Sequence, residues 1–599
     1  MSVSPRQQLP NTYRAFYGAF PALRPFQVEV ITPLLQGHDL ILQAATGSGK
    51  TEAVLAPCLE RVLGTEGTAG VLYVVPTRAL AQDLRRRLEP VLHDRLGLRL
   101  GMRTGDVKRL PAGSADLLLT TPESLDVMLG SPNREVRDLL QRVNVLVIDE
   151  VHQFLAGYRG RHLAYLVQRL ARRCRHHLQK IALSATVAEP EAIKTAFGFR
   201  PDTVCVRSGV QRQIQPRLVY LQREDEELVA FVDDLIERFG HRKLLLFANS
   251  RSRCDRLFAL LHHQGRLQAT TYLHYSNLKP RQRQEVERQF QRQSQALCIA
   301  TSTLELGIDI GDVDGVILYE PPESVTTFVQ RLGRANRQTQ HTTFWGICRG
   351  PRAGEQLLQF LALYQLAQQG VVEARQPGDL PSVLVQQVLS CVYEQKSLAS
   401  ATLHAVFPQQ AAALPTLLPA LAARAWLRCT ADHWGQESWR GGWRYARALR
   451  ARQIWSNFPD TEVVYILEVD AEAVADLPVS VVRQLAIGDA VDLAGRRLRI
   501  LDVQDGERKV VRATPVQVET AKELLWLGSG APVSWEVAQG VQQCLNSADI
   551  TQDAPLLQGL FARPRALLQR QLQRAQRRVV LQNGVEVSRT PQGLYRYAT

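Results

Sequence analysis

From about residue 38 the chain alternates short β-branched runs with longer amphipathic segments rich in Arg, Leu and Gln. The runs are HDLILQAA, GVLYVVP, ADLLLTT, NVLVID and KIALSA, and a second set follows as KLLLFANS, QALCIATS, GVILYEPP and HTTFWGICR. Strands that alternate with helices build parallel sheets from βαβ units, so this pattern predicts two such sheets in tandem. The stretch 200–225, with Pro201 and Pro216, reads as the linker between them. At 599 residues the chain is too long for one core. With 45% apolar and 22% charged residues it has the composition of a folded globular protein.

The texture changes after about residue 375. Residues 380–430 read as short helices, and 431–445 (ADHWGQESWRGGWRY) as a Trp/Gly-rich turn or hairpin, which together suggest a winged helix. Residues 460–515 alternate with period two, as a small β-rich module does. The segment 562–578 is a basic helix, either a solvated face or a phosphate track. Neither a basic-then-apolar leader nor an uncharged run of membrane-spanning length is present, so secretion and membrane spanning are disfavoured. Nine scattered cysteines with no C-x-x-C spacing give zinc and iron–sulfur sites no ligand set and fit a reducing cytoplasm. The formal net charge of +14 points to a polyanionic partner.

AATGSGKT (44–51) follows the strand HDLILQ and precedes an amphipathic helix, the context a P-loop requires. Ala45, Thr46, Gly47, Ser48 and Gly49 would turn backbone N–H groups toward phosphate oxygens. Lys50 would neutralise the outer phosphates of ATP, and Thr51 would place its hydroxyl on Mg²⁺. The strict pattern has Gly where this chain has Ala44. VLVIDEVHQF (145–154) drives a buried strand into Asp149, Glu150 and His152. At the carboxyl edge of a parallel sheet Asp149 would hold Mg²⁺ and Glu150 would polarise the attacking water. His152 taken alone is a loop histidine.

The ordered set of these strings resembles the DExH-box helicases of superfamily 2. AATGSGKT, VPTRALAQD (75–83), TTPES (120–124), DEVH (149–152) and SAT (184–186) look like motifs I, Ia, Ib, II and III. FANSR (247–251), ATSTLELGIDIG (300–311) and QRLGRANR (330–337) look like motifs IV, V and VI, and the coverage is roughly residues 14–350. TLELGIDIG, GDVDGVI, PESVTTFVQRLGRA, the TGD at 104–106, the RGRHL after DEVH, and later IWSNFPD and IGDAVDLAGRRLRILDV are similar to the Lhr group of DNA helicases. Arg337 stands where many members of that group have His.

The resemblance implies an α/β chain of two tandem RecA-like parallel-sheet domains, at 1–205 and 206–372. A winged-helix domain at 373–450 and a β-rich C-terminal module at 451–599 would follow. It implies that Gln27, in RPFQVEV, reads the adenine edge, where the residues alone leave a surface Gln before a helix. Arg334 and Arg337 would approach the γ-phosphate as arginine fingers, flanked by Gln330 and Gly333. Gly307, Asp309 and Glu305 would hold that interface, His152 would link the ATP site to the second sheet, and Thr186 would couple the ATP site to the strand site. Nucleic-acid contacts are expected from Thr77, Arg78, Thr104, Gly105 and Thr121 (within Thr120 to Glu123), and from Ser250, Arg251, Ser276 and Thr301. Hydroxyls and backbone amides grip phosphates without reading bases. Seven of the eight Trp lie beyond residue 420, and Trp455 is the candidate for stacking on a base. The function so implied is an ATP-dependent 3′→5′ translocase on single-stranded DNA. It would unwind duplex DNA or RNA:DNA hybrid, in DNA repair, in the cytoplasm. The alternatives are a DExH RNA helicase or remodeller and a degenerate, non-enzymatic motor. The second is opposed by the intact Lys50, Asp149, Glu150, Arg334 and Arg337.

Overall fold

The computed structural model describes residues 3–596 apart from 46, 65–69, 106, 108–114, 156, 185–189, 209–212, 238–239, 306–312, 336–340, 372, 374–379, 432, 452–453, 455–463, 507–508, 519–520, 523, 525–532, 547–578, 583–584 and 591–592. It divides into two compact units that are not contiguous in sequence. One joins Met1–Val210 to Ala374–Asp460, and the other joins Gln211–Glu373 to Thr461–Thr599.

The first unit is built on seven parallel strands: β1 (Leu40–Gln43), β2 (Gly70–Val74), β3 (Leu100–Arg103), β4 (Leu117–Thr120), β5 (Val143–Ile148), β6 (Gln179–Ser184) and β7 (Val204–Arg207). Their order is β3-β4-β2-β5-β6-β1-β7. Helices cover both faces, so each central strand is buried on both sides and reads as an unbroken apolar run. In β5 the period of two divides the side chains between two cores. Val145 and Val147 pack on one face of the sheet, and Leu146 and Ile148 on the other.

The winged helix folds onto this sheet's helical layer. Its helices Pro381–Gln395, Ser400–Val406 and Leu414–Ala423 enclose a three-stranded sheet of β14 (Ser397–Ala399), β15 (Leu427–Ala431) and β16 (Glu437–Gly441), in the order β14-β16-β15. Trp439 is buried in its core, and Tyr165 of the long helix Gly157–Arg173 packs edge-on against Phe407 at 5.4 Å.

The second unit repeats the parallel plan with β8 (Gln213–Leu221), β9 (Lys243–Ala248), β10 (Thr271–His274), β11 (Ala296–Ala300), β12 (Gly315–Tyr319) and β13 (His341–Arg349), in the order β10-β11-β9-β12-β13-β8. Pro216, expected in a linker, lies inside β8 opposite Phe344. β8 is an edge strand, where a missing N–H on the unpaired side costs no ladder bond, so the strand claims residues that composition assigns to a connection. The β-rich module follows as β17 (Val464–Val469), β18 (Glu472–Pro478), β19 (Ala490–Leu493), β20 (Arg496–Asp505) and β21 (Lys509–Pro515), in the order β18-β17-β21-β20-β19. Side-chain and backbone bonds fasten it to the second sheet: Asn277 Nδ2 donates to Asp476 O at 2.7 Å, and Ala494 N donates to Tyr275 Oη at 3.0 Å.

Candidate nucleotide site and strand-contact edges

The loop after β1 turns on two glycines in left-handed conformations, Gly47 (φ 72°) and Gly49 (φ 86°), before the helix Lys50–Leu63 begins. L side chains are strained there. A Cβ at Gly49 would also stand 2.6 Å from Gln27 Nε2. Ala44, where the strict motif has Gly, has no left-handed φ; its N–H donates to Ser184 O at 3.1 Å and simply extends the strand. The departure from the motif therefore carries no backbone cost. Lys50 is buried, with Nζ donating to Ala44 O at 2.6 Å and to Ala45 O at 3.3 Å. Ser48 Oγ is buried with no hydrogen-bond partner among the described residues. Left-handed glycines, a buried ammonium and an orphaned hydroxyl form a cradle suited to a polyphosphate.

β5 delivers the carboxylates to the same edge. Asp149 continues the ladder through its N–H to Val74 O at 2.9 Å, then turns its side chain into the protein. Oδ2 accepts from Tyr73 Oη at 2.9 Å and Oδ1 from the Glu150 N–H at 2.9 Å. Burial pushes the Asp149 carboxyl up, with the Glu150 charge adding to the shift and Lys50 and Tyr73 opposing it. A divalent cation would reverse that balance, so this carboxylate suits a metal. Glu150 is a non-glycine residue held at φ 48°, ψ 46°, a left-handed conformation that costs backbone strain. Its Oε2 is buried without a hydrogen bond among the described residues, 3.5 Å from His152 Nδ1. His152 Nδ1 also lies 3.1 Å from Ser184 Oγ, which ties the DEVH segment to the SAT segment within the first sheet.

Gln27 sits on the same cradle. Its Oε1 accepts from Arg24 N at 2.9 Å and its Nε2 donates to Gly49 O at 3.3 Å, so the amide expected to read the adenine edge lies against the phosphate turn. Burial pushes the Tyr73 hydroxyl well up and the Asp149 charge adds to this, while the neighbouring Thr51 hydroxyl opposes it.

The expected strand contacts of the first unit follow β2, β3 and β4, which are adjacent. Thr77 caps the helix Arg78–Glu89 by accepting from Leu80 N at 3.2 Å. Arg78 lies across Gly105, where a Cβ would come within 2.4 Å of its guanidinium. Thr104 N donates to Val107 O at 3.1 Å, and Thr121 Oγ1 bonds Ser124 Oγ at 3.3 Å. In the second unit Ser250, Ser276 and Thr301 follow the adjacent strands β9, β10 and β11, and Arg251 Nη2 donates to Ser276 Oγ at 3.2 Å. Thr46, Thr186, Gly307, Asp309, Arg337 and Trp455 lie outside the described residues.

Two of the motif VI residues are deeply set. Gln330 is buried at the end of the helix Val325–Leu332, and Arg334 is only 1% exposed, with Nη2 donating to Glu305 O at 2.7 Å. Glu305 accepts from Arg331 Nε at 2.8 Å, and Arg331 Nη1 donates to Asn249 Oδ1 at 2.9 Å. Motifs IV, V and VI are thereby joined around one guanidinium.

Sequence reasoning passed over several residues that hold these edges. Tyr73 positions Asp149. Arg159 joins the loops of motifs Ia and Ib, with Nη2 on Pro76 O at 2.7 Å and Nε on Glu123 Oε1 at 2.8 Å. Glu373 accepts from Thr326 N at 3.0 Å and caps the motif VI helix. His274 bridges Thr303 Oγ1 at 2.8 Å and Glu287 Oε1 at 3.2 Å beneath motif V. Only Arg159 had a local signal, as part of the RGRHL string.

Comparison with known proteins agrees with the two-sheet fold. Residues 24–194 match the DEAD/DEAH box helicase family and residues 227–339 the helicase conserved C-terminal domain. The ATP-dependent helicase Lhr-Core protein 2 of Thermococcus barophilus is 28% identical over 584 residues, covering 88% of this chain and 66% of that protein. The Lhr helicase/probable uracil glycosylase of Mycolicibacterium smegmatis is 31% identical over 438 residues, covering 63% of this chain and 28% of that protein. The chain thus spans just under two thirds of the first relative and about a quarter of the second. Among solved structures, the Mycobacterium smegmatis helicase Lhr bound to ssDNA and AMP-PNP superposes with a TM-score of 0.66 at 27% identity, over 77% of this chain and 64% of that one. The DUF1998 helicase MrfA bound to DNA shares the fold, with a TM-score of 0.69 at 18% identity over 87% and 74% of the two chains. Among the described residues no helix is long and apolar enough to cross a membrane. The two parallel sheets with their ordered motifs, the winged helix and the β-rich module, taken with these matches, support an Lhr-like helicase of superfamily 2.

Proposed function

We propose that this chain is a nucleic-acid-stimulated ATPase that translocates 3′→5′ on single-stranded DNA and unwinds duplex DNA or RNA:DNA hybrid in DNA repair. The observation that carries the reading is the convergence of Lys50, Asp149 and Glu150 on one carboxyl edge, all buried, with the Lys50 and Asp149 side chains held by named partners. A nucleic-acid-bound relative, the mycobacterial Lhr named with ssDNA and AMP-PNP, supports DNA and ATP as the ligands.

In this reading the turn at Gly47–Gly49 and the Lys50 ammonium hold the ATP phosphates, and Gln27 contributes to the adenine side. Thr51 and Asp149 would hold Mg²⁺, which supplies charge neutralisation on the β- and γ-phosphate oxygens. Asp149 is kept in line by Tyr73, and Glu150, strained and short of hydrogen bonds, takes the proton of the attacking water. Arg334 and Arg337 act at the γ-phosphate from the second domain, which requires Arg334 to exchange its hold on Glu305 O for phosphate oxygens. The hydroxyls and amides after β2, β3, β4, β9, β10 and β11 grip strand phosphates without reading bases, as a motor on any sequence requires. Residues 1–205 and 206–372 serve as the two motor domains, 373–450 as the winged helix and 451–599 as the β-rich module.

The test is an unwinding assay on forked substrates with 3′ or 5′ tails, in DNA and in matched RNA and hybrid versions. Unwinding of 3′-tailed DNA and hybrid substrates is expected. A preference for 5′ tails would remove the polarity, and stronger ATPase stimulation by RNA than by DNA would favour the RNA-helicase alternative.

A further inference from the structure

We propose that the outward face of the winged-helix hairpin is a binding surface for the phosphate backbone of duplex nucleic acid, centred on Arg428 and Arg440. The proposal rests on the motor reading for its biological use, though not for its measurement. Arg428 of β15 stands directly opposite Arg440 of β16, and on the other side of β16 Arg440 pairs with Ser397 of β14. Thr430 and Ser438, two residues along, are also directly paired. Because side chains alternate across a strand, these residues share one face, and buried Trp439 marks the opposite face. The outward face is therefore two guanidiniums flanked by three hydroxyls.

Like charges placed directly opposite on a sheet repel and weaken it. Among the described residues no opposite charge offsets that repulsion. Arg440 Nε donates to Ser397 Oγ at 3.2 Å, and among the described residues no carboxylate forms an ion pair with either arginine. Glu437 is on the Trp439 side of the hairpin and accepts from Ser400 Oγ at 3.2 Å. The charge extends beyond the pair: residues 424–450 contain six arginines, all exposed, against two acids. An arrangement that costs stability in the free protein is offset by a ligand of high negative charge density.

Two features select a duplex over a single strand. Single-strand surfaces interleave cations with aromatic rings on which bases stack. This face has none, because the exposed rings, Trp434 (79% exposed) and Trp443, lie outside the two strands. The hydroxyls and guanidiniums are the groups that bind phosphate oxygens, and a duplex presents twice the linear charge of one strand.

The test measures equilibrium binding of the full chain, without nucleotide, to a labelled blunt DNA duplex and to its isolated strand across a range of salt. For Arg428→Ala with Arg440→Ala, the slope of log K against log salt on the duplex is expected to fall by about 1.8, at about 0.9 for each phosphate no longer neutralised. Single-strand binding and single-strand-stimulated ATPase should stay at the parent level, and the unfolding midpoint should be unchanged or raised. Arg428→Lys with Arg440→Lys should restore most of the duplex slope. An unchanged duplex slope overturns the proposal, as does an equal loss on duplex and single strand. A parent chain that binds duplex but shows no nucleic-acid-stimulated ATPase would count against the motor reading alone.

Discussion

The carboxyl edges of the two parallel sheets bury similar amounts of charge and treat it in opposite ways. At the first edge Asp149 is pushed up by burial, Glu150 is strained with an oxygen lacking a hydrogen bond, and Ser48 Oγ has no partner among the described residues. At the second edge Arg331 is paired with Glu305 and bonded to Asn249, and Arg334 rests on a backbone carbonyl. Buried polar groups without partners cost free energy, and folded proteins retain them where a ligand completes them. The difference marks the first edge as the one a ligand completes, whereas at the second Arg334 must first release Glu305 O, and it can be broken by mutation.

The largest effect should come from the first edge. Lys50→Ala or Glu150→Gln should reduce nucleic-acid-stimulated ATPase by on the order of a hundredfold or more, the scale of losing one charge-stabilising group in an active site. Glu150→Gln should leave the unfolding midpoint unchanged or raise it, because it removes an incompletely bonded buried charge. ATP turnover and thermal unfolding on the same samples check both halves, and a destabilised Glu150→Gln would contradict the contrast.

Satisfied buried charge should behave in the reverse manner. Asp126 accepts from His162 Nε2, Arg169 Nη1, Gln386 Nε2, Gln387 Nε2 and Ser390 Oγ, joining the first sheet's helices to the winged helix. Burial alone would raise its carboxyl. The His162 hydrogen bond and the Arg169 charge outweigh that and hold it well below the usual carboxylate range. A depressed carboxyl stabilises the fold above its unfolded value and loses that contribution as pH falls through the folded value. Stability from Asp126 should therefore be complete above about pH 4 and decline only below it. Asp126→Asn should cost roughly 3–5 kcal/mol at neutral pH, since removing one partner leaves buried charge uncompensated. It should also remove that acid-limb dependence. Unfolding midpoints from pH 7 into the acid range decide it.

What was legible in the sequence follows from the same distinction. The P-loop and DEVH strings are local: the backbone turn and the residues that act lie within a few positions of each other, so Gly47, Gly49, Lys50, Asp149 and Glu150 could be named in advance. The supporting residues are not local. Tyr73 reaches Asp149 across 76 positions and Gln386 reaches Asp126 across 260, and nothing at either end marks the other. The crossed composition of the compact units is hidden for the same reason, because a linear reading divides the chain into successive domains. Pro216 misled because composition does not tell an edge strand from a linker.

A smaller effect should separate backbone geometry from side-chain chemistry at the first edge. Gly49→Ala forces a Cβ into a left-handed position and against Gln27 Nε2 at 2.6 Å. With a conformational cost of about 1–2 kcal/mol, ATP affinity should fall by roughly tenfold. Gly495 is also left-handed (φ 72°), but it belongs to the β-rich module, where a Cβ would meet Phe258 at 3.3 Å. Gly495→Ala should cost similar stability and leave the KM for ATP alone, so a raised KM in that variant would blur the contrast.

The smallest effect concerns Gln27, whose two amide ends are already engaged by Arg24 N and Gly49 O. If it reads the adenine edge, Gln27→Ala should raise the KM for ATP a few-fold while leaving that for GTP nearly unchanged, because one or two hydrogen bonds of about 1 kcal/mol each are at stake. If it only braces the phosphate turn, both nucleotides should suffer equally, since the phosphates are common to them. The ratio of the two KM changes isolates recognition from scaffolding without depending on the size of either. Equal losses would move Gln27 from the chemistry of the first edge to its supporting frame, with Tyr73 and Arg159.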